Sequence, residues 1–147
     1  MTDISGVGIQ IQLVANTTFP AGFTVSEFAD DADPLDMASI KLADVAMGLN
    51  GDLISWGKAV ALPMVINVIP DGDDDINLAV LAESNRIGRG KRSAKDQITA
   101  IVTYPDGRTI VLARGVLTDA SIGTSVASAG RKKTKSYAFS FENKAGA

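Results

Sequence analysis

The residues best suited to chemistry lie near the end of the chain, in the stretch RKKTKSYAFSF at positions 131–141. Four basic residues occur there within five positions: Arg131, Lys132, Lys133 and Lys135. Such a cluster is able to bind phosphate, which raises the question of a nucleic-acid contact. The chain as a whole is acidic, however, with a formal net charge of −3. The cluster is therefore interpreted as a local feature that leads into a strand.

A second candidate for phosphate chemistry is IGRGKRS, at positions 87–93. A phosphate-binding loop requires a glycine where Asn85 stands, an uninterrupted Gly-Lys-Ser/Thr end and a helix after the loop. Here Arg92 separates Lys91 from Ser93, and the predicted helix precedes the motif. We therefore exclude this motif as a nucleotide site.

Alternating aspartates in DGDDDINLAVLAES resemble a calcium-binding loop. The EF-hand requires glycine at the sixth position and glutamate at the twelfth, where this chain has Ile76 and Ala82. Aspartates at a helix start are favoured by the helix dipole, which is the better explanation here. The acidic loop ADDADPLD, at positions 29–36, is interpreted as solvent-exposed. We assign no metal and no cofactor.

The chain contains no cysteine and no histidine. It therefore lacks thiolate chemistry and the commonest general base, and its serines have no histidine to activate them. We expect a protein that is not an enzyme. No stretch approaches the ~18 apolar residues of a membrane span, and the first residues lack the pattern of a signal peptide, so we expect no membrane association.

Hydrophobic periodicity predicts a mainly β protein, an antiparallel sandwich or barrel with one packed α-helix, as a single domain over residues 1–147. The predicted helix covers 73–87, with a core-facing stripe formed by Ile76, Ala79, Val80 and Ile87. The predicted strands cover 7–14, 23–28, 38–47, 52–56, 60–70, 95–104, 108–117 and 136–142.

The segment 38–47 is compatible with helix or strand, but the following Asn50-Gly51 pair favours a hairpin with 52–56. Trp56 is expected to anchor a core or an interface edge. Pro63 is expected at an edge, a bulge or the beginning of its strand, because it has no N–H to donate. Tyr137, Phe139 and Phe141 are expected on one buried face of the last strand.

Three stretches together resemble the inner-tube proteins of contractile phage tails and the related tubes of type VI secretion systems. They are the acidic loop and strand pair ADDADPLDMASIKLADVAMGLNGD, the lone helix DDDINLAVLAESNRI and the closing segment GTSVASAGRKKTKSYAFSFEN. The resemblance covers most of the chain. It implies a mainly β subunit whose sheets join those of its copies, and uncharged runs such as 60–70 suit pairing between copies.

The resemblance further implies homo-oligomeric rings, typically hexameric, that stack into a tube through which DNA passes without specific binding. The implied partners are further copies of the chain and the tail sheath, tape-measure and baseplate proteins. The implied location is the tail of the virion, assembled in the host cytoplasm. The alternative is a baseplate or neck protein that initiates the tube, or another adaptor that does not polymerise.

Opposite charges indicate where neighbouring subunits of such a ring would meet. We predict that acidic residues of the loop at 29–36 pair with the basic cluster of an adjacent subunit; the alternative is that both charged runs are solvated and contact no neighbour. The predicted interface residues are Asp30, Asp31, Asp33, Asp36, Arg131, Lys132, Lys133 and Lys135. Exposed pairs of this kind contribute ~0–1 kcal/mol each, so they would set register more than affinity.

Overall fold

The structure is a computed structural model, and it describes residues 2–146. Within these residues it has ten strands and one helix, compared with the roughly eight strands predicted. The strands are β1 (Gln10–Ala15), β2 (Phe19–Val25), β3 (Leu35–Asp36), β4 (Ala43–Met47), β5 (Leu53–Gly57), β6 (Leu62–Val68), β7 (Ile98–Thr103), β8 (Thr109–Ala120), β9 (Lys135–Phe141) and β10 (Asn143–Gly146). The helix, α1, covers Asp73–Asn85.

The main sheet has the order β2-β1-β7-β8-β9-β6-β3, and β10 pairs with β8 beside this path. Every pairing is antiparallel. β4 and β5 form a separate two-stranded sheet. This arrangement confirms the predicted fold class, an antiparallel β-sandwich with one helix.

The strand β8 belongs to both halves of the sandwich. Its first half pairs with β7 and β10, and its second half pairs with β9. The change occurs at Arg114, whose φ is 55°, and at Gly115, which lies directly against the ring of Phe141. A Cβ at Gly115 would stand 2.2 Å from Cδ1 of Phe141, so the close approach requires glycine.

Alternating side chains of the strands fill the space between the two halves, as the period-two patterns predict. On β9, the three aromatic residues Tyr137, Phe139 and Phe141 are buried, which confirms that prediction. Pro63 is the second residue of β6, near the beginning of its strand as expected. The buried core also includes Ile11, Leu13, Val25, Met64, Ile66, Val68, Leu78, Leu81, Ile98, Ala100, Val102 and Leu112.

The helix is present at the predicted place, but it presents a different face to the core. Its buried residues are Asp74, Asp75, Leu78, Leu81 and Ala82. The predicted stripe is wrong, because Ile76 and Val80 are about half exposed and Ile87 lies beyond the helix and is 76% exposed. The amphipathic pattern failed because two of the inward positions are aspartates, whose partners are distant in the sequence.

These two aspartates connect the helix to the sheet. The backbone N–H groups of Ser26 and Glu27 donate to Asp74 Oδ2 at 2.7 and 2.8 Å. The hydroxyl of Tyr137 donates to Asp75 Oδ1 at 2.8 Å, and Lys135 Nζ lies 3.5 Å from Asp75 Oδ2. The buried carboxylates are thus satisfied by the segment that follows β2 and by strand β9, which fixes the start of the helix.

A third buried carboxylate, Asp96, holds the other end of the helix. Its oxygens accept hydrogen bonds from the backbone N–H groups of Thr17 and Thr18 and from Asn85 Nδ2, at 2.8 to 3.0 Å, and from the hydroxyl of Thr18. Burial alone raises the pKa of Asp96, but the hydrogen bonds from Thr18, Asn85 and Thr17 outweigh burial and lower it. Asp96 therefore remains charged and ties the β1–β2 turn to the helix end.

No helix among residues 2–146 is long and apolar enough to cross a membrane.

Candidate functional site

One residue of the predicted acidic group and one of the predicted basic group, Asp30 and Arg131, form an ion pair within one chain. Arg131 forms a two-pronged ion pair with Asp30, with Nη1–Oδ2 and Nη2–Oδ1 distances of 3.0 and 2.8 Å. The hydrogen bond from Arg131 lowers the pKa of Asp30 to about 2. The pair joins the acidic loop after β2 to the loop before β9, which are 101 positions apart.

The other basic residues of the cluster have separate partners. Lys132 pairs with Asp71 in the turn before the helix. The backbone N–H of Lys133 donates to the carbonyl of Ser125 at 2.8 Å, and the residue is exposed. Lys135 is buried beside Asp75, so it lies inside the chain and not on its surface.

The remaining acidic residues lie at the edge of the sheet. The hydroxyl of Thr134 contacts the carboxylate of Asp31. The backbone carbonyl of Asp33 accepts a hydrogen bond from Asn67 Nδ2 at 2.7 Å, and Asp36 pairs with Val65 in the β3–β6 ladder. The side chains of Asp33 and Asp36 stay exposed, so contacts of this loop with a neighbouring subunit remain a prediction.

A second surface was not singled out by the charge pattern. The β4–β5 hairpin confirms the strand alternative, although only 43–47 of the predicted 38–47 is strand, and neither β4 nor β5 pairs with the main sheet. Large apolar side chains of the hairpin and its turn are half or more exposed: Leu42, Val45, Met47, Leu49, Leu53, Ile54 and Trp56. A lone two-stranded hairpin is marginally stable in water, and an apolar patch of this kind marks an interaction surface. Trp56 therefore lies in a candidate interface and not in the core.

The apolar residues of this hairpin are distributed over both of its faces. Met47 pairs with Leu53, and Val45, which pairs with Ser55, lies on the same face. The opposite face carries Ile54 and Trp56. At its base, Asp44 forms ion pairs with Lys41 and Lys58, the latter at 3.0 Å. We call the surface formed by Ile54, Trp56 and Lys58 the Trp56 face.

The edges of the main sheet are short or irregular. The edge strand β2 contains Pro20, and its pairing with β1 shifts register between Leu13 and Ala15. The opposite edge strand, β3, has two residues, and β10 has four. Proline, bulges and short edge strands hinder pairing of sheets between molecules. The uncharged segment expected to suit such pairing forms β6, which already lies between β9 and β3.

The structure offers open surface grooves. One groove, of about 460 Å³, is lined by residues of the first segment and of the β7–β8 turn, including Asp3, Tyr104 and Arg108. Neither Asp30 nor Asp96 lines it. Among the described residues, no group of three or more acidic side chains is arranged to hold a metal ion.

Several solved structures share this fold across the whole chain. A sheath/tube terminator of the extracellular contractile injection system PVC matches with a TM-score of 0.62 at 10% identity, covering 100% of this chain and 98% of that chain. The anti-feeding prophage tube terminating cap matches with a TM-score of 0.59 at 8% identity, covering 100% and 92%. A chain of the anti-feeding prophage baseplate matches with a TM-score of 0.60 at 8% identity, covering 100% and 97%. The fold is thus that found in components of contractile injection systems.

The family follows from the sequence itself. The model of a family described as "Tail fiber protein gp32" matches residues 2–145, and the chain therefore belongs to that family. No curated protein matches the sequence. The predicted resemblance to phage tails is confirmed at this level, but these matches do not extend to the narrower prediction of an inner-tube subunit.

Proposed function

We propose that this chain is a structural, non-catalytic component at an end of a contractile tail tube, where it forms a ring that starts or terminates the tube. This is the alternative among the two predicted tail functions. The observation that carries this proposal is the combination of two features: sheet edges that are short or irregular, and a separate hairpin whose exposed apolar side chains suit docking. Such a chain can join an assembly without extending a sheet indefinitely.

Solved structures with a similar fold support the same location at a tail end. The structures that match at TM-scores of 0.59 to 0.62 carry descriptions that name a sheath/tube terminator, a tube terminating cap and a baseplate. A chain of the sheath-tube complex of PVC matches less well, with a TM-score of 0.50 and 93% coverage of this chain. From this order of TM-scores we propose that the partners of the chain are the tube and sheath proteins at a tail end, and that its location is the virion.

A second candidate, the repeating tube subunit, keeps one supporting observation, the likeness to the sheath-tube complex. The two functions differ in what the pure protein does. A subunit that terminates a tube forms particles of one size, whereas a repeating subunit forms tubes that lengthen with concentration.

Electron microscopy of the purified chain across a wide concentration range tests the proposal. We expect single rings or smaller oligomers whose size stays constant as concentration rises. Tubes of variable length would contradict the proposal and favour the repeating subunit. Salt is varied in the same series, because the Arg131–Asp30 and Lys132–Asp71 pairs are exposed and are screened at high ionic strength.

A further inference from the structure

We propose that the Trp56 face of the β4–β5 hairpin docks on the outer face of helix α1 of a second copy of the chain. This inference deepens the proposed function, because it names the contact that would build its ring. Both surfaces are apolar and uncovered in one chain. Trp56 and Ile54 are 50% and 53% exposed, and Ile76 and Val80 on the helix are 54% and 47% exposed.

The outer face of helix α1 carries more apolar surface than the fold of one chain requires. The inward face of the helix is formed by Leu78, Leu81, Ala82 and the two buried aspartates, whereas Ile76 and Val80 are not part of the buried core. Exposed single apolar residues are ordinary, but two on one helix stripe form a continuous strip. This strip on the helix gives the exposed hairpin an apolar counterpart within the same sequence.

The spacing of the two surfaces matches. Ile54 and Trp56 are two positions apart on a strand, which places them about 6.6 Å apart along it. Ile76 and Val80 are four positions apart on a helix, which places them about 6 Å apart along its axis. Two apolar side chains of one surface can therefore lie against two of the other.

The charges beside the apolar pairs are opposite. Lys58 follows Trp56 by two positions and therefore continues the same face of the hairpin. Lys41 and Lys58 share the single carboxylate of Asp44, so the base of the hairpin keeps a net positive charge. On the helix, Asp73 lies three positions before Ile76 and is exposed, while the other exposed acid, Glu83, is paired with Arg86. Placing Trp56 on Ile76 therefore places Lys58 near Asp73.

The topology favours a contact between copies. The hairpin joins the sheet where β6 begins, and the helix starts beyond the other end of β6. A seven-residue strand is about 20 Å long, so the base of the hairpin and the first turn of the helix are well separated in one molecule. A contact between unlike surfaces of identical chains is head-to-tail, and such contacts close into rings when the rotation divides a circle.

Cysteine pairing tests the contact directly, because the natural chain has no cysteine. Two single variants, Ile54→Cys and Val80→Cys, are mixed and exposed to mild oxidation. We expect a covalent dimer that contains one copy of each variant and forms faster than either homodimer. Val126→Cys replaces Val80→Cys in the matched control, since Val126 is also an exposed apolar residue. Equal cross-linking to position 126 contradicts the proposal.

Self-association, measured by sedimentation, provides the second readout. Trp56→Thr keeps a residue suited to a strand, and Val80→Lys introduces a better helix former, so both variants are expected to fold. Each should weaken self-association at least ~10-fold, as loss of a central interface residue does. Val126→Lys should leave it unchanged.

A charge exchange completes the test. Lys58→Glu and Asp73→Lys should each weaken self-association ~5-fold, and an equal mixture of the two variants should restore it, because every contact then has opposite charges. Circular dichroism confirms that each variant is folded. A wild-type chain that stays monomeric overturns the inference, as does an oligomer that none of these substitutions affects. Binding to phospholipid vesicles that requires Trp56 without self-association also overturns it and assigns the hairpin to a membrane.

Failure of this contact can be distinguished from failure of the proposed function. A discrete ring that survives every hairpin and helix substitution overturns the inference and leaves the tail-end assignment intact. Long tubes that require Trp56 and Val80 support the contact and overturn the tail-end assignment.

Discussion

Tyr137 and Asp75 connect the last long strand to the first turn of the helix, through a hydrogen bond of 2.8 Å from the Tyr137 hydroxyl to Asp75 Oδ1. Both residues are buried, and Asp75 also accepts a hydrogen bond of 2.9 Å from the backbone N–H of Asp71. Lys135 supplies a positive charge 3.5 Å away. The helix that carries the proposed docking strip is thus held by a carboxylate that the sheet satisfies.

Replacement of Tyr137 by phenylalanine should lower the free energy of unfolding by about 1–2 kcal/mol, because Asp75 loses one buried donor while the ring still fills its place. Urea unfolding measures this difference. A loss below about 0.3 kcal/mol would show that the hydrogen bond contributes nothing net.

The same residue gives the fold a dependence on alkaline pH. Burial, followed by the hydrogen bond and charge of Asp75, raises the pKa of Tyr137 above its ordinary value of 10.0. A raised pKa means that the protonated form is the stabilising one, so its contribution is complete below about pH 10 and is lost as the pH rises further. We expect stability to fall more steeply above pH 10 in the natural chain than in Tyr137→Phe.

The Arg131–Asp30 pair should be visible as a displaced titration. NMR titration of the side-chain carboxyl carbon should give Asp30 a pKa of about 2 in the natural chain and a value nearer 3.8 in Arg131→Ala. Both side chains are about half exposed or more, so the substitution should change the unfolding midpoint little. An unchanged pKa in Arg131→Ala would mean that the pair is not formed in solution.

Asp96 should be among the more sensitive polar positions. Asp96→Ala leaves the backbone N–H groups of Thr17 and Thr18 without their acceptor, and we expect a loss of about 2–4 kcal/mol. The exposed Asp106→Ala is the control and should change stability by less than about 0.5 kcal/mol.

Acid pH should remove part of the stability that Asp96 contributes to the fold. The pKa of Asp96 is lowered, so its contribution is present above its unfolded pKa, near 3.8, and disappears as the pH falls through the folded value. Unfolding curves of the natural chain and of Asp96→Ala should converge as the pH falls below about 4. Parallel curves down to pH 2 would contradict this assignment.

The bend in β8 should not tolerate a side chain. Gly115→Ala forces a methyl group into the ring of Phe141, and overpacking of this kind costs about 1–3 kcal/mol. Gly123→Ala is a matched control, because nothing lies within 4 Å of the added methyl group. Thermal unfolding compares the two. Equal melting temperatures would show that the bend relaxes without cost.

Local patterns predicted most of the fold. Alternation identified β1, β6 and β9 with their buried faces, and Asn50-Gly51 identified the β4–β5 hairpin. Short elements such as β3 and β10 were missed, because two and four residues carry too little periodicity. The predicted strand at 23–28 misses the beginning of β2, since Pro20 and Gly22 are typical turn residues and this part of the strand depends on pairing with β1.

The candidate site was less predictable, for a physical reason. The charge pattern placed Asp30 and Arg131 in two groups expected to pair between neighbouring subunits, but it could not show that these two residues meet within one chain. The sequence explained Asp74 and Asp75 by the helix dipole alone, because their partners, just after β2 and on β9, lie 48 and 62 positions away. Alternation in β4 and β5 does not show which face of the hairpin packs on the rest of the chain. The tertiary structure shows that both faces carry exposed apolar side chains.

The number of copies of this chain in an intact virion tests the central claim most directly. Quantitative mass spectrometry of purified particles, with the sheath protein as the internal reference, provides that number. A component of a tail end should be present as one or two rings, far below the sheath, and labelled antibody should bind at an end of the tail. A copy number equal to that of the sheath, with label along the whole tail, would contradict the account and make the chain a repeating tube subunit.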